Sequence, residues 1–379
     1  MNKLHLPLIL ITFALLLIFI PKDKKQNNQN VSNKISIEEF HSLADKQQMS
    51  YLRNLAKDTS IEEARNFLKT AYPNEPSDKH ELIHAIGEAA YLQFGYDGLG
   101  KCDSLFMFGC YHGVVLEAVR QNGYNEKVLK ELADGCLNLS SNKTITTACS
   151  HGIGHAIMVL KSYDLLESYK DCDKTFSSEE ELFYCWDGVS MENIMRRFEQ
   201  ADAKKFLKAD DPYYPCNAVP EKYQAACARE HVFYVFELLN QRDTKKAIDF
   251  CMYFTSEKTR FECTSAIGNF LNQAYSDNPQ KIIDGCNKLN GDYISYCITR
   301  AATQYSFSRQ VEKAKLLCNT LAQKSSQETC MGAVEYSSSN LYIDSTLSNI
   351  LILNYGFCAD TKPKPISSVS CASSITPTQ

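Results

Sequence analysis

The sequence predicts an all-α fold: an α-solenoid of antiparallel helical hairpins, each stapled by a local disulfide. Two observations predict it. Sixteen cysteines fall into eight regularly spaced pairs, and apolar residues recur at helical spacing between them. A third observation, an apolar run at the N-terminus, suits the disulfides because it points to export.

The pairs are Cys102 and Cys110, Cys136 and Cys149, Cys172 and Cys185, Cys216 and Cys227, Cys251 and Cys263, Cys286 and Cys297, Cys318 and Cys330, and Cys358 and Cys371. Within a pair the separation is 8 to 13 positions, and from pair to pair the first cysteine advances by 32 to 44. An advance near 35 is the period of helical-hairpin repeats. In each unit a helix is expected to end at the first cysteine, as in Val128–Cys136, and a second to begin at the next. Ile153, Ala156, Ile157 and Leu160 form one apolar stripe of such a second helix; Val232, Phe233, Phe236 and Leu239 form another. Cysteines facing each other across a turn suit a disulfide that closes a loop of about a dozen residues. Paired zinc sites are the competing reading, but no Cys-x2-Cys spacing occurs.

With its one cysteine pair per helical hairpin, the segment 98–360 resembles secreted cysteine-rich repeat proteins of the Sel1-like and tetratricopeptide type. The resemblance is one of architecture. The Leu-Gly-x-x-Tyr signature of those repeats is missing and the cysteine spacing is longer. It implies a hairpin array and carries over no functional residue.

Around this array the chain divides by composition. Residues 1–20 contain the apolar run Leu6–Ile20, flanked by Lys3 and the Pro21-Lys-Asp-Lys-Lys cluster, and read as a signal anchor or signal peptide. Residues 21–34 are a polar linker. Residues 35–97 form a cysteine-free helical unit, with Ser36/Glu39 and Ser60/Glu63 as capping-box starts and a third helix from about Ser77 to Gln93. Residues 98–345 hold the stapled repeats, and 346–379 a Ser/Thr/Pro-rich tail with the last cysteine pair. The expected location is extracytoplasmic, either anchored to the membrane by the N-terminus or secreted. A net charge of -5 and the lack of a basic stripe argue against nucleic acid as partner.

Chemistry concentrates in the histidines. Aligned on their cysteines, the second helices read Cys110-Tyr-His112-Gly113, Cys149-Ser-His151-Gly152 and Cys185-Trp-Asp187-Gly188, and the cysteine-free unit supplies His80 in the same register. One turn on lie His84, Glu117, His155 and Glu192. In later units the positions hold Arg229, Ser265, Thr299 and Gly332, so the ladder is expected to stop at the N-terminal end. Imidazole with carboxylate is the donor set for a divalent transition metal: zinc, iron, manganese or copper. The expected ligands are His80, His84, His112, His151 and His155, with Glu117, Asp187 and Glu192 as further ligands or as acceptors that orient the rings. The opposing reading is that such histidines pack over the disulfides and are duplicated with the repeat.

His80-Glu81-Leu-Ile-His84 also matches the H-E-x-x-H pattern of zinc hydrolases, with Glu81 as general base. Ala90 stands where a metzincin carries its third histidine, and His151-Gly-Ile-Gly-His155 keeps both histidines without the glutamate. Glu88 or His112 could complete the ligand set. Three function classes follow: a metal-binding extracytoplasmic repeat protein, a scaffold whose surface takes a protein or peptide partner, and a metal-dependent hydrolase.

Overall fold

A computed structural model describes residues 34–73, 79–103, 105–123, 125–139, 143–195 and 205–339. Sixteen α-helices and no strand occur among them. The apolar run 6–20 and the pair Cys358/Cys371 lie outside the described residues. Within them, no helix is long and apolar enough to cross a membrane.

The N-terminal unit is built as its caps predict. The amides of Glu39 and Glu63 donate to the Ser36 and Ser60 hydroxyls at 3.1 and 3.0 Å, starting α1 (Ile37–Ser42) and α3 (Ile61–Ala71). Between them runs α2 (Asp45–Asp58), and α4 (His80–Phe94) follows. The repeats then comprise α5 (Leu105–Asn122), α6 (Glu126–Asn138) with α7 (Lys143–Leu160), α8 (Leu165–Thr175) with α9 (Glu179–Met195), and α10 (Glu221–Phe233). They continue with α11 (Thr244–Tyr253) and α12 (Glu257–Tyr275), α13 (Pro279–Cys286) and α14 (Tyr293–Phe307), and α15 (Val311–Asn319) and α16 (Lys324–Ser339).

Seven disulfides form between the expected partners, with Cα–Cα distances of 5.4–5.8 Å. No cysteine among the described residues is free. Thiols oxidised in this number mark an oxidising, extracytoplasmic environment. Two local expectations need correction. The second helix begins four to six residues before its cysteine, because the disulfide joins the first helix to the second turn of its partner. In two units no α-helix precedes the first cysteine: Cys102 follows the 3-10 turn Gly95–Lys101, and Cys216 sits in a turn-rich loop.

The helix α4 of the cysteine-free unit and the cysteine-bearing second helices pack side by side in the order α4, α5, α7, α9, α10, α12, α14, α16, and the first helices cover one flank of that row. Between the layers lies an apolar core in which Ile153, Ala156, Ile157, Val232 and Phe236 are buried. Every inner helix therefore has one apolar side toward the first helices and one side left for the opposite surface.

Candidate metal centre

Three junctions in this row, α4/α5, α7/α9 and α12/α14, are held close by glycine, and the first two carry the histidines. A Cβ on Gly113 would lie 2.1 Å from the His84 carbonyl oxygen, and one on Gly87 2.1 Å from that of Cys110. The α7/α9 crossing repeats this: Gly188 faces the His151 carbonyl at 2.0 Å and Gly154 that of Cys185 at 2.1 Å. Only a residue without a side chain permits such backbone contact. The crossings also revise the register. Sequence places His80 with His151, whereas the glycine contacts place His84 with His151, one turn along. The first histidine pair is therefore displaced by a turn relative to the second, and this brings four of the helices' imidazoles to neighbouring depths around His112.

The five rings form a continuous group. His80 and His84 lie 4.8 Å apart by centroid, and each lies within 5.4 Å of His112. His112 stacks on His151 at 5.2 Å, and His151 meets His155 at 4.8 Å. They do not converge on one point. One nitrogen each from His80, His84 and His112 come within 4.8 Å of one another. His80 Nε2 is 3.1 Å from His84 Nε2 and 3.3 Å from His112 Nδ1. Metal–nitrogen bonds of about 2.0–2.1 Å at tetrahedral angles hold two nitrogens about 3.3 Å apart, so both contacts match an edge of that polyhedron.

The second group is His151 and His155, whose Nε2 atoms are 3.1 Å apart. Their other nitrogens face carboxylates: His151 Nδ1 donates to Asp187 Oδ2 at 3.1 Å and His155 Nδ1 to Glu192 Oε2 at 3.0 Å. Tyr163 donates to the second oxygen of Glu192 at 2.7 Å and fixes it in turn. His80 Nδ1 likewise donates to the Phe106 carbonyl at 2.5 Å. Acceptors of these kinds can only take a proton, so they set the tautomer of each ring. The remaining nitrogens of His151 and His155, both Nε2, are the ones that meet.

Burial pushes the imidazoles of His84 and His112 well below the usual histidine range, and the surrounding histidines push the same way. Burial also lowers His151, against the opposing pull of Asp187. Asp187 itself is held ionised: burial works against its charge, but Arg229 and the His151 N–H outweigh it. Neutral imidazoles backed by ionised carboxylate are in the protonation state that binds metal.

Asp187 and Glu192 thus stand behind the rings as acceptors. Glu117 is a correction: it binds Arg120 and Gln121 on its own helix at 2.6 and 2.7 Å and is not among the histidines' partners. Its position in sequence matched Glu192, but the turn of displacement between the two crossings turns it toward different neighbours. Glu88 is not a third ligand either, since it pairs with Arg53. His231, by contrast, is a buried structural histidine, bonded to the Pro212 carbonyl at 3.0 Å and lowered by burial to about 4.

The expectation that the polar ladder stops after α9 is overturned. Arg229 of α10 lies 3.4 Å from Asp187 and 3.4 Å from Glu262 of α12, and Glu230 and Arg300 adjoin them. These charges extend the histidine row along the same surface. Sequence alignment missed this because one rung, Thr299, is replaced structurally by its neighbour Arg300. A groove of about 480 Å³ follows the row, from Glu81, His80 and His112 past His151 and Asp187 to Arg300 and Phe307.

No family model, curated protein or solved structure matches this chain.

Proposed function

We propose that this chain is an extracytoplasmic helical-repeat protein that holds a divalent transition metal in its N-terminal repeats. His80, His84 and His112 are its ligands, and His151 and His155 form a second donor pair beside them. The observation that carries this reading is the orientation of the rings. Nitrogens meet at ligand-edge distances while the opposite N–H groups of His80, His151 and His155 are anchored on oxygen acceptors. At the His151/His155 pair both Nδ1–H groups are held by carboxylates, so in their neutral forms the two Nε2 lone pairs face each other, a juxtaposition that a cation relieves.

The donors narrow the metal. With every described cysteine oxidised and the carboxylates behind the rings, the reachable ligands are imidazole nitrogens. That set favours zinc or copper over manganese, which prefers oxygen. N-terminal attachment to a membrane belongs to the same proposal, and rests on the apolar run alone.

Metal analysis of the purified chain tests the reading. Stoichiometric zinc or copper is expected, lost in His84→Ala and in His112→Ala with the helical circular-dichroism spectrum unchanged. A folded chain that takes up neither metal would leave only a scaffold. One observation favours hydrolysis as a second reading: Glu81 lines the groove onto which His80 and His112 also face. Three protein ligands leave a coordination position for water. Glu81→Gln separates the two, since a binding site keeps its metal and loses nothing else, whereas a hydrolase keeps its metal and loses turnover of a peptide or ester substrate.

A further inference from the structure

The C-terminal half of the groove has a chemistry of its own. On α10, α12 and α14 the groove lining carries both polar residues and aromatic rings: Arg229 and Phe233, Asn269 and Phe270, and Arg300 and Phe307.

Arg229 and Arg300 differ in one respect. Arg229 is enclosed by Asp187, Glu230 and Glu262, the first and last each at 3.4 Å. Arg300 lies mostly out of solvent, yet it has no carboxylate within ion-pair distance and no side-chain hydrogen bond among the described residues. A guanidinium in that state has donors that no protein acceptor takes up, so they are free for an acceptor that enters the groove. Burial and the neighbouring Arg229 weigh against its charge, while Tyr184, Glu262 and Asp187 favour it from a distance. In the same lining, the buried oxygen Asn269 Oδ1 also has no partner. An unpaired guanidinium and an orphaned amide oxygen on neighbouring helices of one groove are what a ligand site shows before its ligand binds.

We infer that this half of the groove binds a small organic monocarboxylate, its carboxylate on Arg300 and its apolar body along Phe233, Phe270 and Phe307. Guanidinium meets carboxylate in a planar two-point contact, and the rings shield the remainder from water. A single negative charge suits the site better than a doubly charged phosphate, because Asp187, Glu230 and Glu262 lie close by. The whole groove, of which this half is part, has a volume of about 480 Å³, within the range of small-molecule sites, about 300–1,000 Å³. The site does not depend on the metal reading, since none of its contacts is a histidine.

Calorimetric titration with 4-phenylbutyrate and its neutral counterpart 4-phenylbutanol tests this on the full chain. The expected result is one site per chain, with the acid bound more tightly than the alcohol. Arg300→Gln should weaken the acid by about tenfold or more and leave the alcohol unchanged. Phe307→Ala should weaken both. Repeating the titration after treatment with a chelator distinguishes the sites: acid binding that survives metal removal supports the Arg300 assignment, and binding that disappears with the metal overturns it while leaving the metal centre intact. Equal affinity for acid and alcohol in the unaltered chain overturns it without recourse to any variant, as does binding of neither.

Discussion

At the scale of single residues, the histidines divide by what their second nitrogen does. His151 and His155 donate to ionisable carboxylates and His80 and His231 sit against main-chain carbonyls, while His84 and His112 each bring a ring nitrogen to His80 Nε2. A pH dependence follows for the metal-free chain. His84, His112 and His151 are lowered from the usual 6.5, and His231 is lowered to about 4. Once unfolded, each takes up its proton at about 6.5, so the unfolded chain binds more protons below that pH. The stability these groups contribute is present above 6.5 and is lost as pH falls, for His231 down to about 4. For His231 alone the loss is on the order of 3 kcal/mol. Urea midpoints should fall steadily from pH about 6.5 to about 4, and His231→Gln should flatten part of that slope; a midpoint independent of pH would contradict the assignment.

At the scale of elements, the crossings of α4 with α5 and of α7 with α9 decide whether the imidazoles meet. Each crossing relies on glycines that touch a carbonyl of the facing helix, and a methyl there must push two backbones apart. Gly188→Ala should destabilise the chain by about 3 kcal/mol and weaken metal uptake, because α9 carries Asp187 and Glu192 away from the rings they orient. Gly332 of α16 has nothing within 4 Å of the position of its Cβ, so Gly332→Ala is the matched control. It should stabilise slightly, by about 0.5–1 kcal/mol, through helix propensity alone. Thermal melts of the two variants check both signs. If Gly188→Ala melts like the parent, the close crossing is not what holds the site.

Over the whole molecule, the hairpins are local units that only neighbours complete. Each disulfide closes a short loop and is worth about 3 kcal/mol against the unfolded chain, so seven together exceed the 5–15 kcal/mol by which proteins of this kind are stable. Complete reduction should therefore abolish the helical circular-dichroism signal at ordinary temperature. Bound metal should delay that loss, since it ties α4 to α5 by contacts that do not pass through sulfur. Reduced protein that stays helical without metal would show the inter-helix core to be sufficient. Because neighbours alone complete each unit, polar residues on successive inner helices lie on one surface. That is how a histidine end and an arginine end come to share a groove.

Much of this was legible in the sequence. Cysteine spacing determined the hairpins and their pairing, because a local disulfide depends only on short-range chain geometry. The serine caps determined where α1 and α3 start, and the repeated His-x3-His determined where to look for a metal. Two features waited on tertiary structure. The turn of displacement between the α4/α5 and α7/α9 crossings sets both histidine pairs around His112, and it sends Glu117 elsewhere. The continuation of the polar row through Arg229 and Arg300 escaped alignment because it shifts by one position along α14. Both depend on how deeply one helix sinks against the next, a distance set by glycine contacts between residues far apart in the chain. Sequence periodicity names the face on which a side chain lies; only the packing of two faces says which side chains meet.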